Sequence, residues 1–221
     1  TGGANPNGDN ITVSDSTDDT VNAGAGDDTV NSSGGNDTVN LGAGDDVYVV
    51  DFSSNELDGS SVDGGDGTDQ VSSTELGGVT GGIANRTVDL TSSAAGSLDA
   101  LTNVEQFRLD VSGGTNNAVL NLDDATSAAF DGFDVEVVDG DASNNAATVD
   151  ASGTVLNQST VNVSTDIDDN STTSVTYLGG NAVEDITLTG NDDTVEYDTT
   201  SFLSSNDSID GGQGTDTLEF T

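Results

Sequence analysis

A nine-residue period governs the first quarter of the chain. Read from Asn5, it runs NPNGDNITV, SDSTDDTVN, AGAGDDTVN, SSGGNDTVN and LGAGDDVYV, five rows in register to Val49. The sixth position holds Asn10, Asp19, Asp28, Asp37 and Asp46; the eighth holds Thr12, Val21, Val30, Val39 and Tyr48. Two separate copies, GGDGTDQVS from Gly64 and GGQGTDTLE from Gly211, place Asp69 and Asp216 at the sixth position. A short repeat of this kind stacks unit on unit and buries a continuous narrow core. Two rows make one coil, so rows two apart stack on the same side, with strands about 4.8 Å apart.

Each row has a chemistry of its own. Glycine reaches positive φ without steric cost, so the Gly-rich hexad makes a tight turn with its carbonyl oxygens facing inward. The Asp that ends the hexad adds a carboxylate. Oxygen donors at this density suit a hard cation, which points to calcium. The three residues after the turn form a strand, with the middle apolar residue facing the core.

These rows resemble the RTX calcium-binding nonapeptide repeat of secreted bacterial proteins, whose consensus is GGxGxD followed by any residue, a large apolar residue and any residue. The resemblance implies a parallel β-roll that folds on binding several Ca2+ ions. Position by position, it implies Asp19, Asp28, Asp37, Asp46, Asp69 and Asp216 as turn ligands. Gly24, Gly26, Gly42, Gly44, Gly65, Gly67, Gly212 and Gly214 stand where turn geometry exposes carbonyls. Two rows depart from the pattern. The first has Asn10 at the ligand position, and the second, SDSTDD, has no glycine and implies a distorted turn. Asp18, Asp27 and Asp45, just before the ligand positions, read as solvated acids.

A longer duplication is superimposed. The segment from Asp45 to Val71 matches that from Asp192 to Leu218 at a constant offset of 147, mapping Asp46 onto Asp193, Asp63 onto Asp210 and Asp69 onto Asp216. Asp193 therefore joins the ligand candidates, although Asn191 replaces a turn glycine there. The chain divides by repeat content into a β-roll at 1–72, a β-rich middle at 73–186 and a second repeat segment at 187–221, duplicating 40–74. In the middle, Phe107, Leu109 and Val111 alternate with polar residues, as do Phe133, Val135 and Val137, and Val161 and Val163. Leu218 and Phe220 alternate likewise. That is the half-buried strand pattern. The fold expected is all-β: a parallel β-roll with a further β-solenoid or β-sandwich region, the solenoid favoured. Tyr48, Tyr177 and Tyr197 fall at inward strand positions.

Charge narrows the roles. The 41 acidic residues face 2 arginines, and Cys, His and Lys are absent, giving a formal charge of -39. A thiol nucleophile, a Cys/His zinc site and a Ser-His-Asp triad are excluded. So is nucleic-acid binding: two arginines do not coat a nucleic acid, and the net charge repels its phosphates. No apolar run reaches the ~20 residues of a membrane-spanning helix. Composition alone would suit disorder, and the alternating strands argue against it. A polysaccharide lyase needs a basic residue, yet only Arg86 and Arg108 exist, and Arg108 sits on an outer strand face. Carboxylate pairs for a glycosidase arise by chance among so many acids, but aromatics for sugar stacking are few. The chain is expected to be no enzyme. Sequons such as Asn85, Asn162 and Asn170 follow from Asn- and Ser/Thr-rich composition. The chain does not begin with Met, and is expected to be either processed or part of a longer protein.

Self-repulsion at this charge opposes compaction until cations offset it, and metal binding and folding share one free energy. The expected role is an extracellular, calcium-bound structural protein that self-assembles into a surface layer or filament. Its expected partners are further copies of itself, with surface glycans or polysaccharide as other candidates. The alternative is a calcium-folded module of a large secreted adhesin, or the secretion domain of a secreted hydrolase.

Overall fold

The computed structural model describes residues 7–13, 17–32, 35–50, 60–72, 86–89, 100–112, 117–123, 133–140, 145–153, 160–167, 171–198 and 203–221. Among the described residues every regular element is a strand, and every strand pairing is parallel. The chain forms two compact units, 1–79 with 92–108, and 80–91 with 109–221.

In the first unit, β1 (Asn10–Val13), β3 (Thr29–Ser32), β5 (Val47–Val50), β7 (Gln70–Ser72) and β10 (Gln106–Asp110) make one sheet. Facing positions are filled by β2 (Thr20–Ala25), β4 (Thr38–Ala43), β6 (Ser61–Asp66) and β9 (Ala100–Thr102). Each coil thus gives one strand to each sheet, and equivalent residues stack. Val30, Tyr48, Val71 and Phe107 form one in-register column, all at most 1% exposed. Val21, Val39, Val62 and Leu101 form the other, none above 8%. Burying a side chain of this size contributes about 1.5–3 kcal/mol, so the two columns are the apolar core of the unit.

The second unit repeats this plan with longer coils. β8 (Arg86–Asp89), β11 (Asn117–Asp123), β13 (Ala146–Gly153), β15 (Ser174–Gly179), β17 (Thr194–Tyr197) and β19 (Thr217–Phe220) pair in that order. Opposite them, β12 (Phe133–Asp139), β14 (Thr160–Ile167), β16 (Val183–Thr187) and β18 (Ser208–Asp210) pair in that order. Leu120, Val149, Tyr177 and Val195 stack along the first. Val135, Val163, Ile186 and Ile209 stack along the second. Parallel coil-to-coil pairing makes the middle region a solenoid. The sandwich alternative falls, because sandwiches pair their strands antiparallel. Tyr48, Tyr177 and Tyr197 are all core residues.

Two expectations need correction. The first row does not hold the nine-residue register: Asn10 pairs with Thr29 and Ile11 with Val30, so Asp9, and not Asn10, stands at the turn-ending position. A one-residue slip exchanges the faces of a strand. The nine-residue register would have put Thr12 inside and Ile11 outside; the observed one half-buries Ile11 and Val13 and exposes Asn10 and Thr12. The second correction concerns β19. Leu218 and Phe220 lie in register with Val195 and Tyr197, yet they are 50% and 63% exposed.

Candidate metal centre

The turns between strands build two columns of carboxylates. In the first, the backbone N–H of each turn-ending Asp donates to Oδ1 of the equivalent Asp one coil further on. Asp9 donates to Asp28 at 2.6 Å, Asp28 to Asp46 at 2.7 Å and Asp46 to Asp69 at 2.9 Å. The second column links Asp19 to Asp37 at 3.0 Å. Each turn carbonyl then accepts from the next strand, as Asp28 O does from Val47 N at 2.8 Å. Asp28, Asp37, Asp46 and Asp69 are almost wholly buried.

The second carboxylate oxygen decides what these turns bind. Oδ2 of Asp28, Asp46 and Asp69 is buried and has no hydrogen-bond partner. An anionic oxygen held this way loses its hydration with nothing in exchange, at a cost of several kcal/mol. Burial accordingly raises Asp46 above the ordinary carboxylate range and pushes Asp69 up to about 6, with neighbouring carboxylates adding to both shifts. A cation at these oxygens removes the penalty.

Backbone carbonyls supply the other donors. The glycines stand directly over the carbonyls of the preceding coil: a β-carbon on Gly42 would overlap Gly24 O, and one on Gly65 would overlap Gly42 O. Gly42 and Gly65 also hold φ of +122° and +107°, where L side chains are strained. The sequence keeps glycine there because only a bare backbone lets two carbonyl-bearing turns approach so closely. Gly24, Gly26, Gly44, Gly67, Gly212 and Gly214 share the positive φ. Among the described residues no three acidic side chains cluster. The donor set is instead one carboxylate oxygen per turn with carbonyls, and hard-oxygen sets of that kind fit calcium.

Two candidates differ from this pattern. Asp37 Oδ2 accepts from the Ser32 hydroxyl. Asp193 Oδ2 accepts from Thr189 N at 2.8 Å and Thr189 Oγ1 at 2.7 Å, while its Oδ1 accepts from Val175 N. Both oxygens are therefore occupied by protein donors at these two turns. Ser32 opens its row where Ala23 and Leu41 open theirs, although the second row also opens on a serine, Ser14; Thr189 stands one place later, at the position of Gly24 and Gly42. The Asp193 cage continues inward. Asn191 Nδ2 donates to Thr173 O, and the Ser171 and Thr173 hydroxyls and Asn145 Nδ2 donate to the buried Asp139 carboxylate. Asp216 is exposed, and its Oδ1 accepts from Asp193 N at 3.1 Å, repeating the Asp46–Asp69 link.

Sequence reasoning missed an outer ladder. Asp18 Oδ1 accepts from Asn36 N, Asp27 Oδ1 from Asp45 N, Asp45 Oδ1 from Thr68 N and Asp192 Oδ1 from Thr215 N. These acids are therefore structural acceptors between coils, and not merely solvated charges. The recurrence of the Asp doublet at coil spacing was the available signal. Gly-free residues 14–16 of the second row, and Asn85 and Asn170, lie outside the described residues.

Residues 13–48 and 203–220 match the family model of the RTX calcium-binding nonapeptide repeat (4 copies). Comparison with curated proteins and with solved structures finds no significant match. Repeats of this type bind several Ca2+ ions, which fits the buried carboxylate oxygens without donors and the stacked carbonyls. These two segments thus carry RTX-type calcium-binding repeats, and their strands lie in parallel sheets as in a β-roll.

Proposed function

We propose that this is an extracellular structural protein, without catalytic activity, which folds on calcium and self-assembles into a layer or filament. Calcium at the orphaned carboxylates offsets part of the -39 charge that otherwise opposes compaction. The observation that carries the assembly reading is β19. It is an edge strand with Leu218 and Phe220 largely exposed, whereas Val71, the counterpart of Leu218 in the first copy, is fully buried with β10 paired beyond it. An exposed apolar strand edge is a template for further strand pairing. The test is light scattering during a calcium titration, on the wild type and on the double variant L218N/F220N. The expected result is a mass that grows with calcium in the wild type and stays at one chain in the variant. A wild-type mass fixed at 22.0 kDa in saturating calcium would refute assembly and leave a calcium-folded adhesin module.

A further inference from the structure

The inner carboxylate column does not stop at the last nonapeptide. Beyond Asp69 the chain returns through Thr102–Glu105, which carries no repeat motif and lies outside both matched segments. Yet it rebuilds the repeat geometry. Glu105 Oε2 accepts from Asp69 N at 2.8 Å, as the next Asp does elsewhere in the column. Glu105 N and Gln106 N both donate to Asp69 O at 3.0 Å. Asn103 is the one non-glycine residue with positive φ, +52°, among the described residues. Its Nδ2 is tied to Asp63 Oδ1 at 2.8 Å. This turn brings Asn103 O against Gly64, where a β-carbon would overlap it and meet Asp69 Oδ2 at the same point. A backbone carbonyl oxygen and a buried, partnerless carboxylate oxygen therefore converge on one small space.

We propose that the turn Asn103–Glu105 completes a calcium site with the Gly64–Asp69 turn. Asp69 Oδ2 and the Asn103 carbonyl are its donors, and the Glu105 carboxylate closes it with the charge that a following repeat would have supplied. The proposal rests on the calcium reading of the repeats and adds to them a site half built from non-repeat sequence. The other column gives the contrast. There Asp37 N donates to the neutral Ser60 hydroxyl at 3.1 Å, and Ser32 holds the remaining Asp37 oxygen, so the closing residue adds no charge and Asp37 leaves no free oxygen.

The test counts bound ions on the full chain by equilibrium dialysis against radioactive calcium, with far-UV circular dichroism confirming the fold at saturation. E105Q keeps an acceptor for Asp69 N–H and removes the charge. The expected result is one ion weakened at least tenfold. D69N is expected to lose that same ion, D69N/E105Q no second one, and S60A none. E105S, which copies the Ser60 arrangement, gives the same readout should E105Q not fold. Unchanged binding in E105Q and E105S, with one ion lost in D69N, would overturn the role of Glu105. Unchanged binding in D69N would remove the site altogether. Should D28N also bind the wild-type number, the calcium reading of the repeats fails as a whole.

Discussion

Thr189→Val tests whether a hydroxyl has replaced a cation at Asp193. Valine keeps the shape of threonine and opens no cavity. It removes one hydrogen bond to a buried carboxylate, Thr189 Oγ1 to Asp193 Oδ2 at 2.7 Å. It also removes the acceptor of Asn191 N, held at 3.0 Å. The Thr189 N–H and Val175 N–H bonds to the carboxylate remain. A hydrogen bond to a charged group is worth about 1.5–3 kcal/mol. Asn191 is only half-buried, so water replaces part of its loss. The expected loss is about 2 kcal/mol, or roughly 30-fold in the local opening constant. Hydrogen exchange of residues 171–198, followed by mass spectrometry in chelator and in calcium, reads this directly. Exchange should quicken by a similar factor in both conditions, and T189S should restore protection. A change below about threefold, or a loss that calcium reverses, would show that a cation and not the hydroxyl closes this turn.

Three other outcomes follow from the geometry. Gly42→Ala forces a β-carbon onto Gly24 O at φ +122° and should cost about 2–3 kcal/mol in urea unfolding, whereas Gly190→Ala, with nothing within 4 Å of its β-carbon, should stay within about 0.5 kcal/mol. Burial, with Asp207 adding repulsion, pushes Glu184 up to about 7 despite hydrogen bonds from Gly180 N, Tyr197 and Tyr177. A raised carboxyl favours the fold while protonated, so this contribution is complete below about pH 4.5 and is lost as pH rises through about 7. Thermal melts from pH 5 to 8 should therefore show a steeper fall in the wild type than in E184Q, and parallel falls would refute it. Because Asp69 sits at about 6 without an ion, calcium uptake should expel protons, more of them at pH 6 than at pH 8. Calorimetry in buffers of different ionisation enthalpy measures that release, and equal release at both pH values would count against it.

Much of this structure was legible because the repeat couples local chemistry to position. Gly at turn positions, Asp at the sixth place and Val or Tyr at the eighth are enough to locate the turns, carboxylates and core column of residues 19–50. The slip at Asp9 was hidden because a one-residue shift leaves NITV strand-like in either register, and only burial of Ile11 chooses between them. Glu105 was hidden because it acts from a non-repeat turn that meets Asp69 only after a return of 36 residues. The Asp193 cage was masked by the duplication itself. The offset of 147 preserves the aspartate while a threonine takes the place of Gly42, converting an open carboxylate oxygen into a saturated one.

The decisive measurement is a calcium titration from chelator to saturation, with bound ions counted and far-UV circular dichroism recorded on the same sample. Oδ2 of Asp28, Asp46 and Asp69 marks three turns with a buried carboxylate oxygen that accepts no hydrogen bond. The expected result is uptake of at least three ions, with strand signal rising in step with occupancy. A strand signal already complete in chelator and unchanged at saturation, or fewer than three ions bound, would contradict calcium as the element that closes these turns.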